Sequence, residues 1–244
     1  MLQNRRFLLM GSGEFEPWSE EAERAAVDGA DPSVVILPTA SAREGDAVFD
    51  RWGSMGLEHY RAMGWPATVL PVESRPDAER EDLAAALDAA ELVFFSGGNP
   101  KHLASTIEGT PLWHSLLAAI ERGAVFAGCS AGAMVASQSR TQAREQGVRT
   151  SWIFGLGLVP NVSFGVHWDK TRLIPGMRWW VSSKLPEGSW FVGIDERTAI
   201  LGDGRAWTVY GRGGATVVHA GGRRTYRAAE SFSTEDEKRP DVGP

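Results

Sequence analysis

One serine stands in a setting that favours nucleophilic chemistry. The segment Gly128-Cys129-Ser130-Ala131-Gly132 directly follows a short apolar run, Ala124 to Ala127, and opens a stretch that is typical of a helix. A G-x-S-x-G motif between a strand and a helix places its serine on a sharp turn at the carboxyl edge of a sheet. The amide of Ala131 and the N-terminus of the helix would then face a developing oxyanion. The motif predicts that Ser130 is a nucleophile, the alternative being a serine that only caps the helix.

A glycine turn follows the preceding predicted strand. The segment Ser96-Gly97-Gly98-Asn99-Pro100 comes directly after Leu92 to Phe95, so we expect it at the same edge of the sheet as the serine. A Gly-Gly turn allows backbone amides to face a ligand. The amide of Gly98, or that of Gly97, is therefore a candidate second donor of an oxyanion hole. The turn alone would be a plain loop; its pairing with the serine motif indicates a site.

A serine nucleophile needs a base, and histidine is the usual one. The chain offers His59, His102, His114, His167 and His219. We favour His167, which lies in a loop-like segment with a glycine before it and bulky residues after it. His102 is close enough in sequence to the glycine turn to be a candidate for lining the pocket.

A carboxylate would complete the triad by orienting the imidazole. Asp195 and Glu196 stand side by side at the end of a predicted strand, and the residue pattern does not choose between them. A rival triad of Ser130, Asp203 and His219 would follow the chain order of α/β-hydrolases. The segment around His219 alternates like a plain strand, which disfavours that rival.

The elements that must position these residues alternate along the chain. Short apolar runs at residues 7–10, 34–37, 68–70, 92–95 and 124–127 predict buried strands, and segments 19–28, 46–63, 78–90 and 103–122 predict helices. This order predicts an α/β three-layer sandwich with a mostly parallel central sheet. After about Gly155, strands separated by glycine turns predict antiparallel strands that extend the same sheet. We expect a single domain over residues 1–228 and a flexible tail over 229–244.

Composition excludes several classes of protein. The 244 residues contain 25 Lys and Arg against 31 Asp and Glu, a net charge of −6, which argues against nucleic acid as a partner. A single cysteine excludes an internal disulfide, and no His and carboxylate cluster has metal-ligand spacing, so we expect neither metal nor other cofactor. The absence of a signal segment and of a long apolar run predicts a cytoplasmic protein without a membrane partner.

The turn after the first predicted strand, Gly11-Ser12-Gly13-Glu14, lacks the third glycine of a dinucleotide-binding motif, because position 16 is Glu16. We expect this turn, together with Thr39-Ala40-Ser41, to rim the pocket.

Four motifs together resemble one known family, the dipeptidase E and cyanophycinase family of serine peptidases. The motifs, in matching order and approximate spacing, are Phe94 to Asn99, Gly128 to Ala133, His167-Trp168 with Arg172, and Gly193 to Ala199. The resemblance spans roughly Phe7 to Val218. It implies a class I glutamine amidotransferase-like, flavodoxin-like fold, with Ser130 as nucleophile, His167 as base and Glu196 as acid. It also implies a metal-independent serine peptidase acting on small peptides, like dipeptidase E, which removes an N-terminal aspartate.

Some residues of the expected substrate site match those typical of this family, and others differ from them. Gly97, Asn99 and Arg172 match family positions; Arg172 could hold a substrate carboxylate, and the ring of Trp168 could wall a subsite. Val166 and Pro100 stand where cyanophycinases typically have glutamine, which argues against the arginine–aspartate storage polymer as substrate.

Two other functions compete with a peptidase: a glutaminase of an amidotransferase, and a binding module with a vestigial site. The sequence leaves the oligomeric state open, with a homodimer as one candidate.

Overall fold

The computed structural model describes residues 5–29, 31–138 and 155–235. The strands are β1 (Arg6–Met10), β2 (Val34–Leu37), β3 (Ala67–Val69), β4 (Leu92–Phe95), β5 (Val125–Cys129), β6 (Val162–Gly165), β7 (Trp190–Ile194), β8 (Thr198–Gly202), β9 (Ala206–Gly211), β10 (Gly214–His219), β11 (Gly222–Arg227) and β12 (Ser231–Ser233). The α-helices are α1 (Glu20–Ala26), α2 (Asp46–Met63), α3 (Arg75–Ala78), α4 (Glu81–Ala85), α5 (Pro100–Ile107), α6 (Pro111–Arg122), α7 (Ala131–Val135), α8 (Trp168–Thr171) and α9 (Met177–Lys184). Two 3-10 turns cover Pro17–Ser19 and Thr39–Glu44.

The central sheet has eight strands in the order β12-β9-β8-β1-β5-β4-β2-β3. The five strands from β1 to β3 in this order run parallel, whereas β8, β9 and β12 add antiparallel strands at one side. Strands β2, β4 and β5 are buried along their whole length. Burial on both faces explains why these strands read as continuous apolar runs, as in other sheets covered by helices.

A second sheet of four strands, β11-β10-β7-β6, packs beside the first. The prediction that the C-terminal strands extend the central sheet is therefore wrong for two of the four predicted strands: β8 and β9 extend it, whereas β7 and β10 belong to the second sheet. The chain leaves one sheet at Ile194 and enters the other at Thr198. Residues 195–197 therefore form a short connection between the two sheets.

The predicted start of the tail at residue 229 is too early. Strand β12 pairs with β9, and Phe232 is buried, with its ring stacked on that of Trp207. A single aromatic residue in a polar segment was too weak a signal to predict this strand. Residues 236–244 of the predicted tail lie outside the described residues.

The helix predicted over residues 103–122 is two helices, α5 and α6. Thr110 separates them, since its hydroxyl accepts a hydrogen bond from the amide of Trp113 (3.3 Å) and Pro111 occupies the first helical position. Both features are typical of a helix start. Within the described ranges, no helix is long and apolar enough to cross a membrane.

Candidate active site

Ser130 occupies a strained turn at the carboxyl end of β5. Its backbone has φ 48° and ψ −107°, and helix α7 begins at the next residue. A positive φ is uncommon for a residue with a side chain and costs about 1–3 kcal/mol, so the surrounding structure must hold it. The amide of Ser130 donates to the carbonyl of Met10 in neighbouring β1 (3.0 Å). A Cβ on Gly132 would lie 2.1 Å from the carbonyl oxygen of Phe95, so a glycine is required where α7 crosses β4.

Three side chains form a continuous line of contacts at this turn. Ser130 Oγ lies 3.2 Å from His167 Nε2, and His167 Nδ1 lies 3.1 Å from Glu196 Oε1. The His167 and Glu196 side chains are 39% and 30% exposed, so the line is open to a ligand from the solvent side. A hydroxyl, an imidazole and a carboxylate in this order have the connectivity of a catalytic triad.

The second sheet brings His167 and Glu196 together. Strands β6 and β7 are parallel neighbours with Gly165 opposite Gly193, and each of the two side chains follows its strand end by two residues. His167 itself has φ 49° and ψ 40°. This left-handed conformation turns the chain sharply from β6 into α8.

Lys170 and Asp169 support Glu196 from helix α8. Lys170 Nζ lies 2.7 Å from the same Oε1 that contacts His167, and Asp169 Oδ1 accepts the amide of Glu196 (2.9 Å). The hydrogen bond from Lys170, followed by that from His167, holds the pKa of Glu196 below its ordinary value. Glu196 is therefore an anion throughout the neutral pH range. Sequence reasoning missed both supports, although both follow His167 within one helical turn.

Asp195, the other candidate acid, has a different role in the fold. Its side chain is buried, and Oδ2 accepts the amide of Gly214 at the start of β10 (3.0 Å). Burial raises the pKa of Asp195, against the opposing effects of the Gly214 amide and of the Arg172 charge. The Asp195 carboxylate therefore links residues 195–197, which connect the two sheets, to β10. The carboxylate that contacts His167 is that of Glu196.

The glycine turn lies next to Ser130. A Cβ on Gly97 would lie 3.5 Å from Ser130 Cβ and 4.0 Å from Ser130 Oγ. The amide of Gly97 donates to Glu14 Oε1 (2.9 Å), so it is not free to bind an oxyanion. The amides of Gly98 and Ala131 donate to no acceptor in residues 5–29, 31–138 and 155–235. Of the two glycine amides considered from the sequence, that of Gly98 is therefore the available one.

The remaining predicted residues, Asn99, Trp168 and Arg172, do not contact Ser130, His167 or Glu196 through a hydrogen bond. Asn99 Oδ1 caps helix α5 by accepting the amide of His102 (3.0 Å). Trp168 is 3% exposed, and its ring packs against Gly193 and Phe191 of β7, so it does not wall an open subsite. Arg172 follows α8, and its Nε is buried without a hydrogen-bond partner within the described part of the chain.

The rival triad does not assemble. Asp203 Oδ1 accepts the amides of Arg205 and Ala206 in the turn after β8. The ring of His219 stacks on that of Trp190, with 4.3 Å between the ring centroids. The ring of His102 has another partner, because its Nε2 contacts the carbonyl of Glu73 (2.8 Å).

Cys129 points away from the site, as the elbow geometry predicts. The residue is fully buried, and its Sγ donates to Glu14 Oε2 (2.8 Å). Burial, followed by the nearby Glu14 carboxylate, raises the pKa of this thiol well above its ordinary value. A neutral, buried thiol is a poor nucleophile.

We therefore expect Cys129→Ser to retain activity within about 3-fold of the wild type, because a serine hydroxyl can also donate to Glu14 and the change removes no catalytic group. Native protein should not react with iodoacetamide at pH 8, whereas urea-unfolded protein should. Loss of turnover in the variant, together with thiol-reagent sensitivity of the native protein, would indicate cysteine chemistry instead.

Comparisons with known proteins agree on one family. The sequence profile of Peptidase family S51 matches residues 7–209. Cyanophycinases from Synechococcus elongatus and Thermosynechococcus vestitus are each 30% identical to the chain over 200 residues, covering 78% of this chain and 59% of each relative. The chain thus spans less than two thirds of the length of these relatives.

Solved structures share the fold. The crystal structure of a peptidase from an acI-B1 actinobacterium is 32% identical, with a TM-score of 0.81 over 94% of this chain and 96% of that one. A putative peptidase E from Listeria monocytogenes has a TM-score of 0.62 at 18% identity, covering 85% of this chain and 98% of that one, and supports the fold alone. The predicted α/β fold with a mostly parallel sheet is confirmed.

Proposed function

The chain belongs to peptidase family S51, and we propose on this premise that it is a serine peptidase that cleaves an amide bond in small peptides. The observation that supports this proposal best is the line of contacts from Ser130 Oγ through His167 to Glu196, at 3.2 and 3.1 Å. These distances allow a proton to pass from the hydroxyl to the imidazole without a rearrangement of the backbone.

The reaction proceeds through an acyl-enzyme. His167 Nε2 takes the proton of Ser130 while Oγ attacks the substrate carbonyl, and the amides of Gly98 and Ala131 bind the resulting oxyanion. The imidazolium, stabilised by the Glu196 carboxylate, then gives its proton to the leaving amine as the C–N bond breaks. Water, deprotonated by the same imidazole, attacks the ester, and collapse of the second oxyanion releases the acid and restores the Ser130 hydroxyl.

A short peptide with a free carboxylate is the substrate class that fits best. Arg172 forms no ion pair with a carboxylate of the described residues, so its guanidinium could bind a substrate carboxylate. Val166 and Pro100 lack the side-chain hydrogen-bonding groups of the glutamines that cyanophycinases typically carry at these positions. We therefore propose small peptides, not the storage polymer, as the substrates.

A panel of dipeptides, each offered with a free and with an amidated C-terminus, tests this function. We expect cleavage of at least one free-carboxylate dipeptide and a higher KM for its amide, with no cleavage by the Ser130→Ala control. Glutamine hydrolysis without dipeptide cleavage would favour the glutaminase. A wild type that cleaves no peptide and is not labelled at Ser130 by a fluorophosphonate would favour the binding module.

The choice between the two carboxylates has its own test. We expect Glu196→Gln to lower kcat about 100-fold or more, because a neutral amide cannot stabilise the imidazolium. Asp195→Asn is the matched control: its amide oxygen can still accept the Gly214 amide, so kcat should stay within about 5-fold. The reverse order of effects would make Asp195 the acid.

The pH dependence follows from the direction of the Glu196 shift. Its pKa in the folded protein is lowered, so the charged carboxylate and its contacts persist at and above the ordinary glutamate value and are lost only as the pH falls through the lowered pKa. We therefore expect the Glu196 contribution to kcat/KM to remain constant down to about pH 4.5. A Glu196-dependent loss of activity between pH 5 and 7, absent in Glu196→Gln, would contradict this assignment.

A further inference from the structure

Glu14 is a buried carboxylate next to the proposed nucleophile. Its residue is 5% exposed and follows β1, the strand adjacent to β5. Oε1 accepts the amide of Gly97 after β4 (2.9 Å), and Oε2 accepts the thiol of Cys129 at the end of β5 (2.8 Å). The side chain thus spans the carboxyl ends of three neighbouring strands and contacts Cys129, the residue before Ser130.

The backbone around Glu14 is constrained to aim the side chain inward. Gly13 has φ 73° and Phe15 has φ 62°, a left-handed conformation that is uncommon for an aromatic residue. The Phe15 ring packs against Phe94 of β4, with 4.8 Å between ring centroids, and Trp18 Nε1 donates to the carbonyl of Gly13 (2.7 Å). These contacts therefore hold Phe15 in a backbone conformation that it would rarely adopt otherwise, and such strained residues are typical of functional sites.

No described lysine, arginine or histidine forms an ion pair with Glu14. Burial of a carboxylate is unfavourable unless hydrogen bonds replace its hydration. Here the donors are a backbone amide and a thiol, and the high pKa of Cys129 keeps that thiol protonated and able to donate. An apolar side chain would fill this space in the core equally well. The presence of a carboxylate therefore indicates that a hydrogen-bond acceptor is needed at this position.

The glycine turn is held from two sides. Glu14 binds the amide of Gly97 on one side, and on the other the amide of Asn99 donates to the carbonyl of Ala40 (2.7 Å). Gly98 lies between these two bonds with φ 139°, and a Cβ there would be 2.4 Å from the same Ala40 oxygen. The two flanking amides are occupied, and the intervening amide of Gly98 is the one left for an oxyanion.

We propose that Glu14 is a positioning residue for the oxyanion hole: its carboxylate fixes the Gly97 amide so that the next amide, of Gly98, faces the carbonyl attacked by Ser130. The inference rests on the proposed function and deepens it, since it names the group that preorganises one oxyanion donor. Without Glu14, the Gly97 peptide would be free to rotate, and the donor would need to reorganise during each turnover.

Three substitutions at Glu14 test the inference. Glu14→Ala removes the acceptor, Glu14→Asp shortens the side chain so that it cannot span both partners, and Glu14→Gln keeps one oxygen at the original distance. We expect kcat and the rate of fluorophosphonate labelling of Ser130 to fall about 10- to 100-fold in Glu14→Ala, with KM changed less than about 3-fold. Glu14→Asp should lose labelling rate similarly, whereas Glu14→Gln should stay within about 5-fold of the wild type.

Glu23→Gln is the matched control. Glu23 is also fully buried, but it binds His59 Nε2 (2.6 Å) and Tyr60 OH (3.0 Å) on helix α2. This variant should lose thermal stability while its labelling rate at 25 °C stays that of the wild type. A falling labelling rate in the Glu14 variants is then not a consequence of lower stability.

Hydrogen exchange of the Gly97 amide, followed by NMR, gives a readout that does not depend on turnover. We expect faster exchange in Glu14→Ala and Glu14→Asp and wild-type protection in Glu14→Gln. If Glu14→Ala does not fold, the inference is tested by comparing the labelling rate and the Gly97 exchange rate of Glu14→Asp with those of Glu14→Gln.

Wild-type labelling rates in a folded Glu14→Ala or Glu14→Asp variant would overturn the inference, as would an equal loss in Glu14→Gln. Failure of the proposed function looks different, because the wild-type protein itself would then be neither labelled at Ser130 nor active.

Discussion

Ser130→Ala is expected to lower peptide hydrolysis at least about 10,000-fold, the largest effect of any single substitution proposed for this chain. The variant loses the oxygen that forms the acyl-enzyme, while the amides of Gly98 and Ala131 can still bind substrate. KM should therefore change little. The measurement is kcat on the dipeptide that the wild type cleaves best, together with loss of fluorophosphonate labelling.

Thermal unfolding supplies the control for Ser130. Alanine carries a Cβ as serine does, so the strain at φ 48° persists, and we expect the melting temperature to move by no more than about 2 °C. Ser130→Gly, in contrast, should be more stable by about 1 kcal/mol and equally inactive, because glycine accepts a positive φ readily. Peptidase activity retained by folded Ser130→Ala protein would remove Ser130 from the mechanism.

His167→Asn is expected to lower kcat about 1,000- to 10,000-fold, the second largest effect. Asparagine tolerates the left-handed backbone that His167 adopts, so the variant should fold, but its amide cannot accept the proton of Ser130. We expect the labelling rate of Ser130 to fall by a similar factor, because the same base activates the serine in both reactions. Stopped assays of dipeptide cleavage and timed labelling measure the two effects.

Chemical rescue distinguishes a missing base from a distorted site. His167→Gly should regain activity when imidazole is added, since the His167 side chain is 39% exposed and the vacated space is open to solvent. His219→Asn is the matched control and should retain wild-type kcat within about 2-fold, because His219 lies on β10 against Trp190. Equal losses in His167→Asn and His219→Asn, without rescue, would show that neither imidazole is the base.

Local sequence pattern was sufficient to predict the parallel strands of the central sheet and the serine turn. The apolar runs at β1, β2, β4 and β5 are long enough only for strands, and their burial on both faces leaves a continuous signal. The second glycine of the G-x-S-x-G motif is required for a steric reason, since the carbonyl of Phe95 leaves no space for a Cβ at Gly132. The family relationship suggested by the four motifs is confirmed by the match to Peptidase family S51.

The pairing of strands that are distant in the sequence could not be predicted from local sequence pattern. The second sheet depends on which strand pairs with which, and alternation of residue types within a strand does not encode its neighbour. The tail boundary was misplaced for a similar reason, because β12 exists only through its pairing with β9.

By itself, the sequence determined which residue types could do chemistry here and that Ser130 sits on a strand-to-helix turn, because those signals come from neighbouring residues. Only the tertiary structure showed that Glu196, and not Asp195, contacts His167, and that Glu14 contacts the glycine turn beside Ser130. In each case the deciding contact joins different elements: Glu196 to His167 across β6 and β7, and Glu14 to Gly97 across β1 and β4. Contacts of this kind depend on how strands are ordered in a sheet, and that order is set by packing of the whole core.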